Sequence, residues 1–129
     1  MTEGATTAQV DRYRQTLSDM AELAGEQGHT DNERRWSRLV GELQHAGAEL
    51  EASADGRAAI AGLMTDARPT VRLWSAAAVL FWDEALARPT LEAIRESPTR
   101  YGLHSITAKH TLLEYDAGRL SPQDPLPGS

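Results

Sequence analysis

The most apolar stretch of the chain, residues 71–82, constrains its fold more than any other feature. Its sequence, VRLWSAAAVLFW, is apolar nearly all round a helix with 3.6 residues per turn. Such a helix must be covered on several sides, because each exposed face would keep apolar area in contact with water. We therefore expect it at the centre of the fold. Pro69 is expected to start it, since a proline at the first helical position lacks only an N–H group that has no partner there.

The rest of the chain shows the same helical periodicity, and no stretch alternates between apolar and polar residues as a half-buried strand does. Five further helices are therefore expected, separated by glycine, proline and capping residues. In chain order they are predicted from near Thr6 to Gly25, after a cap at Thr30 or Asp31, from Asp55, after Asp83, and from about Arg100 to Ala117.

The last predicted helix closes the domain. Its apolar side chains fall on one stripe, which is predicted to face the core. Beyond it, residues 121–129 hold three prolines and one large apolar side chain, which offers little surface to bury. We therefore expect a helical domain over residues 1–120 and a disordered tail over residues 121–129. The stripe expected to be buried consists of Leu103, Ile106, His110, Leu113 and Ala117.

Two pairs of helices resemble each other in sequence. Ile60 and Leu63 recur as Leu91 and Ile94, an offset of 31 residues (91 − 60). The segment SAAAVLF at 75–81 recurs as TAKHTLL at 107–113, an offset of 32 residues (107 − 75). Repeated helix pairs cannot bury their apolar faces alone, and they stack on one another. The predicted architecture is an all-α, α–α superhelix of about six helices in three antiparallel pairs.

Residues 66–80, DARPTVRLWSAAAVL, resemble the second helix of a HEAT repeat, with a turn aspartate, a proline, Val-Arg, small residues and a leucine. The run from Met64 to Leu120, a little under half of the chain, is also similar to the bacterial Domain of Unknown Function twenty-nineteen family. The matching positions are Val71-Arg72-Leu73-Trp74 with the alanines that follow, Leu91-Glu92, Ala108, Leu112, and Glu114-Tyr115 before Gly118.

The resemblance carries expectations about the fold and little about chemistry. It implies a HEAT-like superhelix and assigns no catalytic residues. In HEAT-like repeats an arginine at this place ties neighbouring units together, which implies that Arg72 contacts Asp66 or Asp83. Binding of a ligand by Arg72 is the alternative.

The composition restricts the cellular location and the class of binding partner that we expect. The chain has no cysteine, which excludes disulfides and thiolate metal sites and favours a reducing, cytoplasmic location. No apolar run is long enough to span a membrane. The net charge of −6 repels phosphate backbones, so nucleic acid is disfavoured as a partner and a basic protein is favoured. The alternative is that the acidity only keeps the protein in solution.

Motifs of known enzymes and metal sites are absent from the sequence. It has no glycine-rich phosphate loop, no nucleophile elbow and no HExxH. The pairs His110–Glu114 and His45–Glu49 share a helix face at i and i+4, but neither has a third ligand nearby in sequence. We therefore predict no catalytic residue, no cofactor and no metal ligand, and we do not expect an enzyme.

Two groups of residues are candidates for binding a partner. The first is an acidic edge on the first helix, whose members recur at three and four residues. The second surrounds the predicted turn at Asp83, where a tryptophan could anchor a partner because tryptophan is enriched at interface hot spots. The alternatives are plain solvated surface for the acids and the core for the tryptophan. The candidates are Asp19, Glu22, Glu26, Trp82, Asp83 and Glu84.

These features favour a protein-interaction module, since stacked helix pairs usually present extended surfaces to other proteins. The narrower hypothesis is an antitoxin-like immunity protein that binds and blocks a basic bacterial toxin. A nucleic-acid-associated HEAT-like module and a small enzyme with a carboxylate site are the alternatives. The fold cannot decide among them, because function depends on the site that a fold carries.

Overall fold

The computed structural model describes residues 5–25, 31–122 and 124–126. All regular structure in these ranges is helical, which confirms the all-α prediction. None of the helices in these described ranges is both long and apolar enough to cross a bilayer. The elements are α1 (Thr7–Ala24), α2 (Glu33–Glu51), α3 (Ala54–Gly62), a 3-10 turn (Leu63–Thr65), α4 (Pro69–Val79), α5 (Glu84–Arg95), α6 (Pro98–Tyr101) and α7 (Leu103–Asp116).

Helix α4 lies at the centre, as the apolar stretch predicts. It packs against α1, α3, α5 and α7, and eight of its eleven residues are buried. Pro69 is its first residue. Ala76 and Ala77 are buried, and their short side chains let the neighbouring helices approach closely. The core of the domain is therefore built around α4.

The cap of α2 differs from the prediction. Asn32 occupies the N-cap, and its side-chain oxygen accepts a hydrogen bond from the backbone N–H of Arg35 at 3.1 Å. Thr30 lies outside the described residues, and Asp31 precedes the cap. A capping oxygen must reach the second or third N–H of the helix, and α2 begins at Glu33, so the residue just before it fills this role.

The single long helix predicted from Arg100 to Ala117 is divided in two. Gly102 has φ +55° and ψ −130°, a conformation that residues with a Cβ rarely adopt. Helix α6 therefore ends at Tyr101, and α7 begins at Leu103. The described part of the chain has seven α-helices instead of six, and the stacking of pairs into a superhelix stays a prediction.

Arg72 joins α4 to two other segments. Its Nε donates to the backbone carbonyl of Asp66 at 3.2 Å, and its Nη1 donates to the Tyr101 hydroxyl at 3.0 Å. The implied contact with Asp66 is present, but it uses the carbonyl, because the Asp66 carboxylate is bound by Arg68. The hydrogen bond from Arg68 holds the pKa of Asp66 below its ordinary value. The Asp83 carboxylate instead caps α5.

One residue of the predicted tail packs on the helical domain. Leu126 is only 7% exposed and belongs to the hydrophobic core. Its side chain is the single large apolar group of residues 121–129, and a cleft beside α2 and α4 receives it. Composition could not reveal this contact, because the cleft forms only when the helices pack.

Candidate protein-binding surfaces

The apolar stripe of α7 faces solvent, where the sequence predicted that it would face the core. Leu103, Ile106 and Leu113 are 44%, 49% and 53% exposed, and His110 between them is exposed as well. We call these four residues the α7 outward face. These large side chains are exposed to solvent on one side of a single helix. The stripe was recognised in the sequence, but its assignment to the core was wrong.

The opposite side of α7 is buried although it is polar. The Nε2 atom of His104 shares a hydrogen bond with the Thr70 hydroxyl at 2.8 Å, and its Nδ1 lies 3.0 Å from the Tyr101 carbonyl oxygen. Because the carbonyl can only accept, Nδ1 carries a proton, and in the neutral imidazole Nε2 then accepts from the Thr70 hydroxyl. The Thr111 hydroxyl donates to the carbonyl of Thr107 at 2.7 Å. These side chains are either short or have hydrogen-bond partners inside the fold. They therefore let α7 pack closely on its neighbours while its aliphatic stripe stays exposed.

The 32-residue offset in the sequence pairs this stripe with residues of α4 and of the turn after it. Of these earlier residues, Val71 and Trp74 are buried, whereas Ala78 and Phe81 are half-buried. The Trp74 ring meets that of Trp36 on α2 at 6.0 Å between centroids. No described element covers the corresponding face of α7. The equivalent pairs are Val71 and Leu103, Trp74 and Ile106, Ala78 and His110, and Phe81 and Leu113.

The predicted cluster at the Asp83 turn is engaged within the domain. Arg88 bridges α5 and α7, binding Glu84 at 2.8 Å and Asp116 at 2.5 Å. The hydrogen bond from Arg88 to Asp116 holds the pKa of the Asp116 carboxyl group below its ordinary value. The Asp83 carboxylate accepts the Leu86 N–H at 3.2 Å. Trp82 is half-buried and packs against the core. The structure therefore gives these three predicted residues roles inside the fold.

The predicted acidic edge of α1 is partly described. Asp19 is half-buried and accepts a hydrogen bond from Gln15 Nε2 at 3.0 Å, whereas Glu22 is exposed. Both line a shallow depression together with Arg35 of α2, which brings a positive charge to the edge. Glu26 lies outside the described residues. The Asp83–Glu84 turn begins α5, so the two predicted groups lie on different helices. Helix α4 packs against both α1 and α5.

Both histidine–glutamate pairs have their carboxylates engaged by arginine. Arg119 binds Glu114 at 2.6 Å, and Arg12 binds Glu49 at 3.3 Å. Within the ranges that the structure describes, no group of three potential ligands is close enough to hold a metal ion.

A second surface is a cleft between α1, α2 and α4 that the segment after α7 covers. Tyr13 of α1, Leu43 and Gly47 of α2 and Trp74 of α4 line it, and Leu126 closes it. The Tyr13 ring lies so close to Gly47 that an added Cβ would be 3.3 Å from Tyr13 Cε1. The cleft keeps a cavity of about 50 Å³. Sequence reasoning missed this site, and the only signal for it was the single leucine in a proline-rich tail.

The helices contribute one acidic residue to the cleft, and the segment after α7 contributes Asp124. Glu51, at the end of α2, is half-buried, and it forms no ion pair with any described residue. Burial raises the pKa of its carboxyl group. Burial, and then the charge of Glu51, also raise the pKa of the Tyr13 hydroxyl. The folded domain therefore favours the ionised form of Glu51 less than water does.

Glu51→Gln should therefore stabilise the protein more at pH 7 than at pH 4. The raised pKa means that folding favours the neutral carboxyl. Its contribution is fully present below the unfolded pKa of about 4.3 and is lost as the pH rises through the folded value. Glutamine is neutral throughout, so the melting temperature of the variant minus that of the parent should grow with pH. The control is Glu22→Gln, whose exposed side chain has little burial penalty to remove. A difference that falls with pH for Glu51→Gln would contradict the assignment.

No family model, no curated protein and no solved structure matches this chain.

Proposed function

We propose that this chain is a protein-interaction module that binds its partner through the α7 outward face. The observation that carries the proposal is the set of three large aliphatic side chains, each about half exposed, on one stripe of this helix. Burying the exposed half of a leucine or isoleucine side chain would gain roughly 1 kcal/mol. Three such side chains on one face therefore favour contact with another protein. Contiguous apolar patches on a folded domain usually mark binding surfaces.

The position of the stripe supports the same proposal. Stacked helical proteins normally end in a polar outer face, which keeps the last layer soluble. The outer face of α7 is aliphatic instead, and the equivalent face on the α4 side is covered by neighbouring helices. We infer that the partner presents an amphipathic helix, because this is the kind of element that covers the equivalent face within the domain.

A basic bacterial toxin is the narrower candidate for the partner, with the chain acting as its immunity protein. The net charge of −6 supports this choice, since it would speed encounter with a cationic surface. Exposed acids such as Glu22 would act in this steering, while the aliphatic stripe would provide the contact. On this proposal the chain is a binding protein and has no catalytic role.

The combined variant Ile106→Glu and Leu113→Glu should weaken partner binding at least about tenfold, because complex formation would bury two charges. The test is a pull-down from the native host, followed by surface plasmon resonance with the protein that is captured. The fold should survive, since both side chains are already about half exposed.

Leu86→Glu is the matched control, since Leu86 on α5 is 49% exposed and lies outside the α7 outward face. It should bind like the parent. Unchanged affinity in the double variant would contradict the proposal. Light scattering of the parent shows whether the partner is a second copy, and an association rate independent of salt would remove the basic toxin from consideration.

A further inference from the structure

A basic residue lies at the margin of the α7 outward face. Lys109 is exposed, and it lies three residues after Ile106 and four residues before Leu113. Residues at these spacings are neighbours on the surface of a helix. Lys109 is the only lysine in the sequence, and it forms no ion pair with any described residue. A partner that covers the aliphatic stripe would therefore also come within reach of this ammonium group.

The charge beside the stripe is opposite in sign to the charge of the whole chain. The chain has a net charge of −6, but the two acidic residues of α7 are both bound by arginine. Arg119 binds Glu114 at 2.6 Å, and Arg88 binds Asp116 at 2.5 Å. The ammonium group of Lys109 has no such counter-charge among the described residues. The contact surface is therefore locally cationic on an acidic protein.

This cation has a consequence for any helix that docks on the stripe. Removing water from an ammonium group is costly unless a counter-charge replaces the water. A neutral partner would have to leave Lys109 in water at the rim, and a basic residue at this point would be repelled. A carboxylate would instead accept a charge-assisted hydrogen bond from Lys109. Lys109 therefore distinguishes among helices that have the same apolar stripe.

We propose that Lys109 selects the partner: the helix that docks on the α7 outward face carries a glutamate or an aspartate beside its apolar stripe, and this carboxylate accepts a hydrogen bond from Lys109 Nζ. The inference rests on the proposed function, because it requires a helix on this face. The net charge of the chain acts on the partner as a whole during encounter, whereas Lys109 acts at contact. A basic partner would thus present an acidic residue at this point.

The test uses three synthetic helical peptides with one leucine stripe in common, flanked by glutamate, by glutamine or by lysine. In fluorescence anisotropy, the parent should bind the glutamate peptide about three- to fivefold more tightly than the glutamine peptide, near the upper end of what an ion pair at a surface supplies. The lysine peptide should bind least tightly, and added salt should reduce these differences. Lys109→Gln should remove the preference, and Lys109→Glu should reverse it.

Arg34→Gln is the matched control, since it removes the same charge from an exposed residue of α2 and should keep the preference. Equal affinity for the three peptides would overturn the inference and leave the proposed function standing. Tighter binding of the lysine peptide would mean that the net charge decides, which would overturn it too. If no peptide binds the parent, the inference fails, and the pull-down still decides the proposed function. Peptides that bind the Ile106→Glu, Leu113→Glu variant as well as the parent would contradict the α7 outward face itself.

A second measurement needs no substitution. Because Lys109 is the only lysine, reductive methylation with isotope-labelled formaldehyde marks its amine together with the α-amino group of the chain. Methylation keeps the positive charge. At saturation, the methyl resonance of Lys109 should shift more with the glutamate peptide than with the glutamine peptide. Equal shifts would show that the amine is covered without pairing, and they would overturn the inference.

Discussion

Trp74→Ala is expected to lower the free energy of unfolding by about 3–5 kcal/mol, the usual range for removing a large aromatic side chain from a core. Trp74 lies in the central helix and is only 6% exposed. Its ring meets Trp36 edge to face, with 6.0 Å between centroids and 74° between planes. The substitution therefore removes both the burial and a favourable aromatic contact.

Urea unfolding followed by circular dichroism measures this loss. Trp82→Ala is the matched control, because the same side chain is half-buried there, and its loss should be smaller. A loss below about 1 kcal/mol for Trp74→Ala would mean that the ring is peripheral to the core.

The second large effect is expected at a glycine. Gly56→Ala should lower the free energy of unfolding by about 3 kcal/mol, at the upper end of the range for overpacking. A Cβ on Gly56 would lie 1.9 Å from the Leu50 carbonyl oxygen and 2.6 Å from its carbon. Both atoms are backbone, so the end of α2 and the start of α3 would have to move apart. That movement would strain the turn in which Ser53 caps α3.

Gly62→Ala is the control, since a Cβ there meets no atom within 4 Å. Gly62 ends α3 in a right-handed helical conformation, so alanine should be neutral or should stabilise by about 0.5 kcal/mol. Thermal melts compare the two variants. If both shift the melting temperature equally, the steric explanation for Gly56 is wrong.

The sequence predicted the helices well because their signals are local. The 3.6-residue period and Pro69 located α4, and the predicted turn at Asp83 precedes α5, which the structure shows Asp83 to cap. The signals failed where one residue had two possible local roles. Gly102 was compatible with a continuous helix until its positive φ divided that helix into α6 and α7.

Candidate site residues were harder to predict, because their roles depend on distant partners. Glu84 appeared as a surface acid, but Arg88, one turn along the same helix, holds it together with Asp116 of α7. Leu126 appeared as an isolated apolar residue in a tail, and only the packing of α1, α2 and α4 creates the cleft that receives it.

The sequence alone determined that this protein is all-helical, with its most apolar helix at the centre, because hydrophobic periodicity and capping act within a few residues. It also determined that α7 has an aliphatic stripe. Only the tertiary structure decided which side of α7 faces the core. The short side chains of Thr107, Ala108 and Thr111 fit against the neighbouring helices, and His104 finds its hydrogen bonds there. Close packing and hydrogen-bonded polar groups outweighed the hydrophobicity of the stripe, which therefore stays exposed.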